Sequence, residues 1–180
     1  MKEMIKMTNM NKERFRIRFP DLITFLNLVA GIFAIYAAIF GDTTTAIILI
    51  LAAMVFDFFD GRVARFLKQE HSLGLQLDSL ADMVSFGVAP GVIVLVHYQL
   101  DYLILGAAAL YAVAGAYRLA RFNLLAQPEE HVTHFIGLPI PSAALILLAS
   151  LYLVLPVWGE ALLILVVAYL MAATFRLRKL

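Results

Sequence analysis

The chain has 180 residues, 63% hydrophobic and 15% charged, with a formal net charge of +1. That composition belongs to the membrane class, leaves no room for a separate soluble domain, and gives no reason to expect a nucleic-acid polymer as a partner. Cysteine is absent, which excludes disulfides and any thiolate metal site.

Residues 1–19 mix Met, Ile and Phe with Lys2, Lys6, Lys12, Arg14, Arg16 and Arg18. They are expected to form an amphipathic helix lying on an anionic membrane surface, the alternative being a frayed basic tail. A cleaved signal peptide is not expected, because the first apolar segment is long for that purpose and contains Asn27. Residues 20–180 are expected to form one membrane domain. Its apolar spans are predicted at 21–40, 43–66, 73–96, 102–122, 138–155 and 161–175, and stretches of about 20 residues cross a bilayer core. Pro, Gly and charged residues punctuate the breaks, at Gly41-Asp42, 68–72, 97–101, 127–134 and 156–160.

The basic residues test this count. Six lie before the first span, Arg62, Arg65 and Lys68 lie around the second break, and Arg118 and Arg121 end the fourth span. Arg176, Arg178 and Lys179 end the chain. With six spans every Lys and Arg falls on one side, which the positive-inside rule makes cytoplasmic. The opposite loops carry Asp42, Asp101 and Glu160 and no base. Five spans would scatter the charges. The expected fold is therefore an all-α integral membrane protein of the cell membrane, with six transmembrane helices and both termini cytoplasmic.

Four carboxylates stand out against this background. On a helix, Asp57, Asp60, Gly61, Ala64 and Arg65 share one face. In the next span Gly74, Asp78, Asp82 and Ser85 form a second stripe. A short connection makes the two helices antiparallel neighbours, so the stripes can bring four aspartates together near the cytoplasmic side. Charge at membrane depth is costly and marks function by default. Bare, the cluster would repel itself. Aspartate oxygens suit hard cations such as Mg²⁺ or Mn²⁺, and one or two such ions can hold a diphosphate. Gly61 and Ala64 leave space for a bulky anion, and Arg65 offers a bidentate fork for phosphate. A buried structural ion pair is the bland alternative, but it does not need four aspartates.

The run D-x-x-D-G-x-x-A-R, a spacer of eight, then G-x-x-x-D-x-x-x-D resembles the signature of the CDP-alcohol phosphotransferases. These are six-helix membrane enzymes of phospholipid synthesis. All eight fixed positions are present: Asp57, Asp60, Gly61, Ala64, Arg65, Gly74, Asp78 and Asp82. The resemblance implies that Asp57, Asp60 and Asp78 are ligands of one or two divalent ions, Mg²⁺ or Mn²⁺. It places Asp82 at the metal site with them and also makes it the general base. Gly61, Ala64, Arg65 and Gly74 would line the nucleotide site together with Asp57, Asp60 and Asp78. It also implies a homodimer.

The later motifs Ser85-Phe86-Gly87-Val88-Ala89-Pro90, Arg118-Leu-Ala-Arg121-Phe122-Asn123 and Phe135-Ile-Gly137-Leu-Pro139-Ile-Pro141 are similar to those of the family's phosphatidylserine synthases. The implied donor is CDP-diacylglycerol, or CDP-archaeol in an archaeon, the implied acceptor is L-serine, and CMP leaves. Arg118 and Arg121, one turn apart, could bind the serine carboxylate or a phosphate, or could serve as positive-inside anchors. Ser85 is a further candidate for acceptor binding. Asn123 could be a helix cap or a site residue. Thr24 and Asn27, with Gly31 on the same face, either border the nucleotide pocket or make an interhelical hydrogen bond. His71, His131 and His134 are expected to be solvated loop residues with poor zinc spacing. The competing readings are glycerol 3-phosphate or an inositol phosphate as acceptor and, from another class, a divalent-cation transporter.

Overall fold

In a computed structural model, residues 17–67, 71–125, 134–173 and 176–178 are described. The amphipathic helix expected over 1–19 lies almost wholly outside them. Seven α-helices make up nearly all of the described chain: α1 (Phe19–Ile39), α2 (Thr43–Phe66), α3 (Ser72–Asp82), α4 (Ala89–His97), α5 (Tyr102–Leu125), α6 (Ile140–Ser150) and α7 (Val157–Ala172). A π-helical segment, Met83–Val88, joins α3 to α4, so that Ser72–His97 runs as one span. Two short strands that the sequence reading did not anticipate, β1 (His134–Ile136) and β2 (Arg176–Arg178), pair antiparallel with Phe135 opposite Leu177.

Among the described residues, three helices are long and apolar enough to cross a membrane: Phe19–Ile39, Ser72–His97 and Tyr102–Leu124. Large side chains point outward, among them Leu22, Leu26, Val29 and Phe33 on α1 and Leu103, Leu110 and Val113 on α5. Small ones point inward. Ala30, Ala34, Ala37 and Ala38 of α1 are buried, as are Ala46, Ile50 and Ala53 of α2, and the two helices pack along one another. Lipid is as apolar as leucine, so close backbone approach, rather than apolar burial, selects the interior of such a bundle. Larger side chains, among them Phe86, Ile93, Tyr111 and Leu147, are buried in the same core. The Ser72–His97 span lies at its centre, with α1 on one side and α5 and α6 on the other.

Helix ends follow local chemistry. Asp42 caps α2, its carboxylate accepting from the Thr45 amide at 2.9 Å; hydrogen bonding from the Thr45 side chain first, and from its amide, favours the ionised form and lowers the Asp42 pKa. The last two helices correct the predicted limits. α6 starts after Pro139 and ends at Ser150, and α7 starts directly after Pro156. Proline has no N–H to give and a fixed φ, so each helix begins where the ring has pre-set it. Glu160, read from sequence as a loop residue, therefore sits in the first turn of α7. It is fully buried, and Ser150 Oγ lies 2.6 Å from its Oε1.

Candidate active site

The aspartates come from two helices, as their spacing required. Asp57 and Asp60 lie on the last turns of α2, and Asp78 and Asp82 lie on α3. One carboxylate oxygen from each of Asp57, Asp60 and Asp78 falls within 4.8 Å of the others. Asp82 lies alongside, its carboxyl against that of Asp57, and is buried. Carboxylates this close repel, and the repulsion grows as water is excluded. Asp78 Oδ1 is buried with no hydrogen-bond partner among the described residues. An all-oxygen donor set with an unspent buried lone pair fits a hard divalent cation.

Helix α1 holds this cluster in shape. Thr24 Oγ1 donates to Asp60 Oδ2 at 2.7 Å, and Asn27 Nδ2 donates to Asp82 Oδ1 at 3.1 Å. Of the two readings open for Thr24 and Asn27, the interhelical hydrogen bond is made, and its acceptors are the aspartates themselves. Such partners fix which oxygens a carboxylate can turn toward a cation. Asn27 Oδ1 stays buried and unpartnered among the described residues.

Gly61 borders open space, since a Cβ there would meet only the Arg65 guanidinium, at 3.7 and 3.9 Å. Arg65 therefore folds beside Gly61 on the face that also carries the aspartates, where an anion has room. Gly74 behaves differently. A Cβ on it would come within 2.7 Å of the His71 ring and 3.1 Å of Asp21 Oδ1. His71 is not solvated as predicted: its side chain is 10% exposed and Nε2 lies 3.4 Å from Asp21 Oδ2. The missing side chain of Gly74 makes the space into which the imidazole folds. Asp21 itself was overlooked from sequence. It is a buried acid at the start of α1 that also accepts from the Arg18 amide at 2.7 Å. A carboxylate next to Pro20 at the head of an apolar helix was the available signal.

On α5, Arg118 lies within electrostatic reach of Asp82, and its Nε is buried without a hydrogen-bond partner among the described residues. Arg121 points elsewhere: its guanidinium donates to the carbonyls of Ala172 and Ala173, at 3.2 and 3.4 Å, at the end of α7. Ser85 is fully buried and donates to the Asn27 carbonyl at 2.9 Å, so its hydroxyl is engaged in helix packing. Asn123 exchanges hydrogen bonds with Ser79, at 3.0 and 3.1 Å, and ties α5 to α3 one residue from Asp78. His131 lies outside the described residues, and His134 opens β1.

The CDP-alcohol phosphatidyltransferase family profile matches residues 17–174, nearly the whole chain. The chain belongs to the CDP-alcohol phosphatidyltransferase family. It is 37% identical over 137 residues to the CDP-diacylglycerol–serine O-phosphatidyltransferase of Helicobacter pylori strain J99, covering 75% of this chain and 57% of that protein. The protein of the same name from Bacillus subtilis is 36% identical over 130 residues, covering 71% and 72% respectively. The archaetidylserine synthase of Methanothermobacter thermautotrophicus is 38% identical over 152 residues, covering 82% and 63%. The chain thus spans little more than half the length of the Helicobacter relative. In this CDP-alcohol phosphatidyltransferase family member, Asp57, Asp60 and Asp78 form a cluster that could hold a divalent metal.

Proposed function

We propose that this protein transfers a phosphatidyl group from CDP-diacylglycerol, or its ether analogue from CDP-archaeol, to the hydroxyl of L-serine. The products are phosphatidylserine or archaetidylserine, and CMP. The observation that carries the reading is the convergence of Asp57, Asp60 and Asp78, with Asp82 beside them, in a chain similar over most of its length to serine phosphatidyltransferases.

Asp57, Asp60 and Asp78, with Asp82 beside them, would hold one or two Mg²⁺ or Mn²⁺ ions. Such an ion, when bound, neutralises the diphosphate and stabilises the departing CMP oxygen. Arg65, with Gly61 and Ala64 beside it and Gly74 opposite, borders the nucleotide. Thr24 and Asn27 act on it through Asp60 and Asp82. Asp82 takes the serine hydroxyl proton while the serine oxygen attacks the lipid-side phosphorus. That O–P bond forms as the bond from phosphorus to the CMP oxygen breaks. Asn27 turns one Asp82 oxygen toward itself and leaves the other for the proton. Arg118, with buried unspent donor capacity near Asp82, takes the serine carboxylate. Arg121 and Ser85 support that pocket through α7 and α1.

The same reading covers topology. Six spans, counting the shorter α6 and α7, put both termini and the aspartate cluster on the cytoplasmic side of the cell membrane. The chain works there as a single domain over residues 20–180, behind an interfacial segment at 1–19, and as a homodimer.

The test is CMP release by purified protein with CDP-diacylglycerol and Mn²⁺ or Mg²⁺, adding serine, glycerol 3-phosphate or inositol phosphate in turn, with EDTA as control. Release that needs metal and responds only to serine is expected. A response to another alcohol would keep the aspartate chemistry and remove Arg118 as a serine ligand. No release with CDP-diacylglycerol or CDP-archaeol would sink the reading.

A further inference from the structure

The span that carries Asp78 and Asp82 does not continue as a plain α-helix. Directly after Asp82 it widens, and the Ala89 amide bonds back five residues to the Val84 carbonyl. Wide turns of this kind are rare, and they cluster at functional sites. Two features maintain this one. Pro90 follows in the first turn of α4 and has no N–H, so the α-helical donor for the Phe86 carbonyl is missing. A hydroxyl from another helix takes that place: Tyr111 Oη donates to the Phe86 carbonyl at 2.8 Å. Tyr111 is fully buried, where an unmet carbonyl costs most.

Tyr111, Gly115 and Arg118 fall at i, i+4 and i+7 and so share one face of α5. That face is pressed against the wide turn. A Cβ on Gly115 would lie 3.8 Å from Gly87 Cα and 2.9 Å from Ile140 Cδ1. Two turns along from Tyr111, the same face presents Arg118 within electrostatic reach of Asp82. A hydrogen bond has direction where apolar packing has little, so the Tyr111 bond sets both the sliding and the rotation of α5 against the turn.

We propose that Tyr111 is a positioning residue: through its bond to the Phe86 carbonyl it maintains the wide turn after Asp82 and registers α5, with Arg118, against that aspartate. It touches no reacting atom. The inference rests on the transfer reaction proposed above for its kinetic consequence, but its structural half can be read without turnover.

The experiment uses full-length protein in lipid nanodiscs and compares Tyr111→Phe with Tyr98→Phe. Tyr98 makes a similar hydroxyl-to-carbonyl bond, to Leu155 at 2.9 Å, near the opposite end of the bundle. Tyr111→Phe should lower kcat for CMP release about tenfold or more, since small misplacements of reacting groups are costly in rate. KM for CDP-diacylglycerol should stay within about twofold, because the binding contacts common to ground and transition state are untouched. Amide hydrogen exchange should quicken over residues 83–91 and not elsewhere. Tyr98→Phe should change neither. Pro90→Ala gives a second perturbation. It restores a backbone donor for the Phe86 carbonyl and draws the turn toward α-helical spacing, so it should lower kcat even though helix propensity alone favours it. Unchanged turnover in either variant, or an equal fall in Tyr111→Phe and Tyr98→Phe, would overturn the proposal. An inactive parent protein would sink the transfer reaction, and the exchange comparison would still decide whether Tyr111 holds the turn.

Discussion

Replacing Gly31 by alanine tests how tightly the cluster depends on α1. Gly31 sits where α1 crosses the wide turn. A Cβ there would lie 2.8 Å from Ser85 Cα and nearer still to Ser85 Oγ. A side chain could swing away, but a Cα cannot, so the two helices must part by more than half an ångström. Overpacking of this kind costs about 1–3 kcal/mol. Alanine returns roughly 1 kcal/mol in helix propensity, which leaves a net loss of at most about 2 kcal/mol on those two figures. The functional cost is larger, because the displaced contact is also the Ser85–Asn27 bond, and Asn27 holds Asp82. A misplacement of about 1 Å can cost about a hundredfold in rate. A shift half that size should lower kcat by roughly tenfold. The assay is CMP release per folded enzyme alongside thermal melting, with Gly106→Ala as control, because a Cβ on Gly106 meets nothing within 4 Å. If Gly31→Ala melts and turns over like the parent, the close approach of α1 does not position Asp82.

Three further outcomes follow from the same geometry. Asp82→Asn should cut turnover by about 100-fold or more, the range of a lost general base, while metal-dependent CDP-lipid binding measured by equilibrium dialysis survives; retained turnover would move the base elsewhere. Thr24→Val removes the 2.7 Å donor to Asp60 and should weaken Mn²⁺ binding roughly tenfold by titration, with Thr24→Ser near normal. Glu160→Gln keeps a polar group for Ser150 and should leave turnover untouched, whereas Glu160→Ala opens a cavity and should lower the melting temperature without changing kcat per folded molecule.

The site's donor set was readable because its chemistry is out of place. Four aspartates at helical spacing in apolar spans have few explanations, and period alone sets them on facing stripes. The spans were readable because lipid demands long apolar helices. The helix ends that sequence reading misjudged are the end of α6, at Ser150 rather than 155, and the start of α7, where Pro156 caps the helix instead of breaking the chain ahead of Glu160. What sequence could not supply was pairing between distant helices. Thr24 and Asn27 have two open roles in the sequence, and only the packing of α1 against α2 and α3 supplies the 2.7 and 3.1 Å interhelical bonds to Asp60 and Asp82. Arg118 and Arg121 look equivalent on a helix wheel, yet one nears Asp82 and the other caps α7. His71 reads as a loop residue, but Gly74 and Asp21 give it a buried socket. Sequence by itself determined the apolar, helical character of the chain and the aspartates Asp57, Asp60 and Asp78 that cluster, because both follow from local periodicity and the cost of charge in lipid. Tertiary structure alone decided which polar groups answer which carboxylates, because a hydrogen bond depends on a few tenths of an ångström between helices that no local pattern encodes.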